Sequence, residues 1–92
     1  MAVYAITYDL MSPGQDYSDL HEKIESYGKY SKRFDSFWLI DSDDTAGEIR
    51  DNLKTVLDKN DRLLVIEVKR HWASSNLADG MVNWLKSDNR TF

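Results

Sequence analysis

The chain has 92 residues, of which 41% are hydrophobic and 30% charged, with one proline and no cysteine. This length and composition predict one globular domain and exclude disordered composition, disulfides and thiolate metal sites. A formal net charge of −4 argues against binding nucleic acid by general electrostatics, because that mode requires a surplus of Lys and Arg.

The first elements are a strand and a helix. Val3–Tyr8 is rich in β-branched and aromatic residues, which predicts a strand, and the turn-forming residues at 12–14 end it. A helix follows, with Asp16 placed to cap its first turn and Gly28 to end it. Its apolar residues recur at helical spacing: Tyr17, Leu20, Ile24 and Tyr27.

Residues 29–41 predict extended structure, because they contain many aromatic residues without proline or helical spacing. The segment is longer than an ordinary strand of about five or six residues. We therefore predict two strands, near Tyr30–Phe34 and Ser36–Ile40, that meet in a tight turn or bulge about Asp35. A single long bent strand is the alternative.

A capping box predicts the start of the second helix. Thr45 and Glu48 have the spacing at which each side chain bonds the other residue's backbone amide. The acidic residues at 41–44 suit a helix N-terminus better than calcium, because the glycine and glutamate of a calcium loop are missing. The helix presents an apolar side formed by Ala46, Ile49, Leu53, Val56 and Leu57.

The last predicted elements are a strand and a helix. Leu63–Val68 is almost continuously apolar, as expected of a central strand that is covered on both faces. Ser74, Ser75 or Asn76 can cap a final helix, and residues 87–92 are predicted to be a frayed tail. The apolar residues of this helix are Leu77, Met81, Trp84 and Leu85.

This order predicts an α/β (α+β) domain, a ferredoxin-like open sandwich of βαββαβ topology with an added C-terminal helix. The second face of its sheet would expose a large apolar patch unless the last helix or another subunit covered it, so we predict a symmetric homodimer. The sequence contains neither a signal peptide pattern nor a membrane-spanning apolar run, which predicts a cytoplasmic protein without a membrane partner.

Three segments carry a resemblance to a known family: Tyr4–Leu10, which contains Tyr8-Asp9, then Asp35–Trp38, then Asp61–Val65. Over residues 3–68 the chain resembles the CRISPR-adaptation endoribonuclease-like superfamily, which includes the virulence-associated D-type toxins, and above all its stand-alone bacterial and phage relatives. The resemblance implies a ferredoxin-like protomer and a homodimer. It also implies a carboxylate near the dimer axis, where a divalent metal can assist phosphodiester hydrolysis.

Asp9 is the candidate catalytic residue and metal ligand, because it occupies the position of that carboxylate. Magnesium prefers hard oxygen ligands, so Asp9 would hold Mg²⁺ if the protein is a nuclease. The structural alternative is a carboxylate that caps the turn after the strand. The chain departs from the family pattern at residues 12–14, at the acidic turn 41–44 and in having a helix where a terminal strand is expected.

Five further residues are candidates for ligand binding. Ser36 lies in the segment that corresponds to the Ser-containing second strand of the family. Arg70 and His71 precede Trp72, and an aromatic ring beside Arg can stack on a nucleotide base, although Trp72 can equally anchor the last helix. His21 and His71 can each act as a base near neutral pH or serve only in packing. The full candidate set is Tyr8, Ser36, Trp38, Arg70 and His71. Trp38, like Trp84, is also predicted to lie in the core or at the dimer interface.

Two functions are consistent with these patterns. The favoured hypothesis is a small, homodimeric, non-catalytic binding protein of bacterial or phage origin that engages a nucleotide, a nucleic acid or another protein. The alternative is a metal-dependent endoribonuclease or endodeoxyribonuclease that uses Asp9 at the dimer axis. No zinc spacing, glycine-rich phosphate loop or catalytic triad is present in the sequence.

Overall fold

The computed structural model describes residues 2–11 and 17–92, without the side chain of Arg33. The predicted turn at 12–14 and the predicted cap at Asp16 lie outside the described residues. The elements in chain order are β1 (Ala2–Asp9), α1 (Ser18–Glu25), β2 (Tyr30–Phe34), β3 (Phe37–Ser42), α2 (Ala46–Lys54), β4 (Arg62–Val68) and α3 (Asp79–Lys86). None of the helices in these residues is long and apolar enough to cross a lipid bilayer.

The strands form an open four-stranded sheet in the order β2-β3-β1-β4, and every neighbouring pair is antiparallel. The chain is thus a small α+β domain. The predicted adjacency of the first and last strands is confirmed, since β1 and β4 pair without interruption from Val3 opposite Val68 to Asp9 opposite Arg62.

The predicted hairpin is also confirmed. β2 and β3 are two separate strands joined at Asp35 and Ser36, and not one bent strand. Ser36 adopts a left-handed backbone conformation with φ of 58°, which a tight turn of this kind requires. The pairing of β2 with β3 is irregular between Ser31 and Phe34, where the register shifts.

The prediction that the last strand is central was wrong. β4 lies at the edge of the sheet and pairs only with β1. Leu63 and Val65 pack against the core, whereas Leu64 and Ile66 remain 55% and 53% exposed. The prediction that both faces of this strand are covered was therefore also wrong, since Leu64 and Ile66 face water. An apolar run does not specify how many strands lie beside it.

Two apolar clusters lie on opposite faces of the sheet, because side chains alternate along each strand. On the first face the strands pack against α1 and α2, and the buried residues are Tyr4, Ile6, Tyr8, Leu20, Ile24, Trp38, Ile40, Ile49 and Leu53. On the second face a smaller cluster joins the sheet to α3, and its buried residues are Ala5, Leu39, Met81 and Leu85. The second face is therefore only partly covered.

The helix ends follow local sequence signals in two of three helices. The capping box of α2 is present, with the Glu48 amide donating to Thr45 Oγ1 at 3.1 Å and the Thr45 amide donating to Glu48 Oε1 at 2.9 Å. Gly28 ends the turn after α1 with φ of 83°. In contrast, α3 begins after Ala78 without a side-chain cap, so the predicted cap at 74–76 lies outside the helix.

The segment after α3, which the sequence predicts to be frayed, contacts a buried carboxylate of β3. Asp41 accepts hydrogen bonds from the Thr91 backbone amide at 3.0 Å and from the Thr91 hydroxyl. The Arg90 guanidinium lies 3.9 Å from Asp41 Oδ2 and 4.1 Å above the Trp84 ring. These contacts hold residues 90–91 against the sheet.

Candidate functional site

The candidate residues lie at two separate ends of the sheet. Asp9 ends β1, and Ser36 lies beside it, since its carbonyl oxygen accepts a hydrogen bond from the Tyr8 amide at 3.2 Å. Arg70 and His71 follow β4, whose last residue pairs with the beginning of β1. Six residues of strand separate the two ends, a distance of about 20 Å. The candidates therefore do not form one site.

Tyr8 and Trp38 lie in the core of the first face. Trp38 is 2% exposed, and its indole N–H donates to the Tyr8 hydroxyl at 3.0 Å. His21 Nε2 lies 3.4 Å from the same hydroxyl, and its ring is tilted against the Trp38 ring. Burial raises the pKa of the Tyr8 hydroxyl, and the hydrogen bond from Trp38 opposes the rise. This arrangement stabilises the fold and leaves neither ring open to a ligand.

Asp9 is the one candidate that offers an exposed functional group at its end of the sheet. Its carboxylate lies 3.8 Å from the Arg62 guanidinium on the neighbouring strand, and both side chains are mostly exposed. Across residues 2–11 and 17–92, no three His, Cys, Asp or Glu side chains come together as a metal-binding group. Asp9 therefore belongs to no such group in the described residues, and Arg62 would compete with Mg²⁺ for its carboxylate.

Arg70, His71 and Trp72 do not stand together as a base-stacking platform. Arg70 lies over the Phe92 ring at 5.3 Å from its centroid, and His71 is exposed. Trp72 is half-buried and packs against the second-face cluster, as expected of an anchor for the last helix.

A groove opens on the second face between the sheet and the segment that leads into α3. Its volume is about 300 Å³, and its lining is mainly apolar, including Phe34, Phe37, Leu39, Trp72 and Met81. The exposed side chains of Leu64 and Ile66, which we call the apolar strip, lie on the same sheet face, because they alternate with Leu63 and Val65 on β4.

Asp61 has a structural role that the sequence analysis did not predict. The Asp61 carboxylate accepts hydrogen bonds from the Met11 amide at 2.7 Å, the Asp58 amide at 2.9 Å and the Tyr17 hydroxyl at 3.0 Å. Loss of hydration alone would raise the pKa of Asp61, but these hydrogen bonds outweigh it and lower the pKa. No local pattern reveals partners 44 and 50 residues away.

Comparison with known proteins leaves the function open. No family model matches the chain. No solved structure matches it either. The resemblance to the CRISPR-adaptation endoribonuclease-like superfamily therefore stays a prediction.

Proposed function

We propose that the protein is a homodimeric, non-catalytic binding protein built as a ferredoxin-like open sandwich with an added C-terminal helix. The order β2-β3-β1-β4 supports this fold, because β1 and β2 enclose β3 as in a split βαβ unit. The observation that carries the dimer is the apolar strip, Leu64 and Ile66, which lies exposed on an edge strand.

The strip costs free energy as long as it faces water. Two aliphatic side chains, each more than half exposed, stand beside a row of backbone groups on β4 that pairs with no strand of the described chain. Natural proteins usually protect such an edge, because it is a ready template for another strand. A second copy that pairs with this edge would satisfy its backbone groups and bring its own apolar strip beside the first.

The groove on the second face is the proposed binding site for a further partner. Its apolar lining suits an apolar side chain of a protein, and Arg70 and His71 lie in the segment between Val68 and Trp72, two of its lining residues. The net charge of −4 disfavours binding a nucleic acid through general electrostatics. Binding to nucleic acid would instead weaken steeply with added salt.

Analytical ultracentrifugation tests the dimer. We expect the wild type to sediment as a concentration-dependent dimer, and Leu64→Lys to raise the dissociation constant roughly tenfold or more, because it places a charge in the contact. Asn83→Lys is the matched control, since it adds the same charge at an exposed position of α3. A wild type that stays monomeric at every concentration would remove the proposal.

The alternative function, a magnesium-dependent endonuclease, is favoured by the position of Asp9. The pairing register places Asp9 on the same face as the apolar strip, so a face-to-face dimer whose axis passes close to Asp9 would bring its two copies together. Under this alternative, purified wild type cleaves RNA or DNA with Mg²⁺, and Asp9→Asn loses cleavage while remaining dimeric. Under the non-catalytic proposal, the wild type shows no magnesium-dependent cleavage.

A further inference from the structure

We infer that two copies of the chain pair through the edge of β4 that no described strand occupies, antiparallel and with Val65 opposite Val65, to form one continuous eight-stranded sheet. This inference rests on the proposed homodimer and specifies its contact and its register. It follows from a comparison of the two sheet edges and from the charges that flank β4.

The two edges of the sheet differ in how they resist pairing. β2 carries Lys32 and an irregular register between Ser31 and Phe34, and both a lysine and a bulge discourage edge association. β4 is regular over its full length, as its unbroken pairing with β1 demonstrates. Its central residues 63–66 carry no charge. The β4 edge is therefore the one suited to receive another strand.

A two-fold axis perpendicular to the sheet restricts the possible registers. It keeps equivalent faces on the same side, so each residue lies opposite one that points to the same face. With Val65 on the axis, Leu64 lies opposite Ile66 of the second copy, and this contact occurs twice. Asp61 and Lys69, one residue beyond either end of β4, then lie opposite each other, which places opposite charges together twice.

The neighbouring registers place like charges together. With Leu64 on the axis, Asp61 lies opposite Glu67 of the second copy, and this repulsive contact occurs twice. With Ile66 on the axis, Arg62 lies opposite Arg70, again twice. Like charges directly opposite on neighbouring strands are destabilising. The charge pattern thus selects the register centred on Val65.

This register separates the two copies of Asp9. Asp9 pairs with Arg62, and Arg62 would lie opposite Val68 of the second copy. The two Asp9 residues are thus offset by six residues along the strands and by three strand spacings across the sheet. Together these offsets place them about 25 Å apart. They cannot share a metal ion in this dimer, so the inferred contact and the endonuclease alternative exclude each other.

Cysteine cross-linking tests the register without interference, because the chain contains no native cysteine. Disulfides require Cα atoms about 4.4 to 6.8 Å apart. Under a mild oxidant, we expect Val65→Cys to cross-link to itself several-fold more than Leu64→Cys or Ile66→Cys alone. A mixture of Leu64→Cys and Ile66→Cys should cross-link to each other. Asn83→Cys, an exposed control, measures random collision.

The outcomes separate this inference from the proposed function. If the wild type is dimeric but Leu64→Cys or Ile66→Cys self-links best, or none of the three exceeds the Asn83→Cys control, the inferred register is wrong and the homodimer stands. If the wild type is monomeric, both fall. Circular dichroism of each reduced variant checks that it folds, and the mixed pair tests the same register without changing Val65.

Discussion

Replacing Asp41 with alanine is expected to destabilise the protein by roughly 3 to 5 kcal/mol, the usual effect of breaking a buried ion pair. The Asp41 side chain is fully buried, and it accepts from Thr91 and faces Arg90, whose own side chain is only 10% exposed. Alanine removes these contacts and leaves the Arg90 guanidinium buried opposite no charge. The midpoint of urea unfolding measures the loss.

The control for this prediction is Asp51→Ala, which removes a carboxylate from an exposed surface ion pair with Arg50 and should change stability little. Combining Asp41→Ala with Arg90→Met in a double-mutant cycle isolates the interaction between the two residues. A loss below about 1 kcal/mol in the single variant would contradict the buried-charge argument.

Replacing Trp38 with alanine is expected to cost roughly 3 to 5 kcal/mol, because it empties a large buried volume in the first-face cluster. Trp38→Phe keeps a ring in place but removes the N–H that donates to Tyr8, so we expect a smaller loss of about 1 to 2 kcal/mol. Thermal and urea unfolding measure both variants. Tyr30→Ala, at a neighbouring ring that is 39% exposed, is the control and should cost less.

These variants also test the sequence-based hypothesis that Tyr8 and Trp38 bind a ligand. If the two residues only stabilise the core, Trp38→Ala loses stability and ligand binding together, and Trp38→Phe retains most of both. If Trp38→Phe keeps full stability but loses binding, the core role argued from its burial is wrong.

Local signals in the sequence predicted much of the fold. The capping box at Thr45 and Glu48 and the left-handed Gly28 depend only on neighbouring residues, so their geometry is fixed within one helical turn. The division of residues 29–41 into two strands followed from strand length alone. Each of these features concerns residues a few positions apart.

The features that sequence missed depend on residues far apart in the chain. The Asp61 carboxylate accepts hydrogen bonds from Tyr17 and Met11, which precede it by 44 and 50 residues. Arg90 and Thr91 belong to the segment that the sequence predicts to be frayed, and both contact the buried carboxylate of Asp41 on β3. The edge position of β4 also depends on which strands pair, a choice that an apolar run does not encode. Strand pairing also determines that the candidate ligand residues lie at opposite ends of the sheet.

The burial of Asp41 also makes the sheet depend on residues that belong to no helix or strand. Its hydrogen-bonding partner Thr91 lies 50 residues later in the chain and follows the last helix. Withdrawing a charged group from water is costly unless its partners are present. A chain shortened before Arg90 would therefore keep the residues of every helix and strand and still leave this carboxylate buried without its partners.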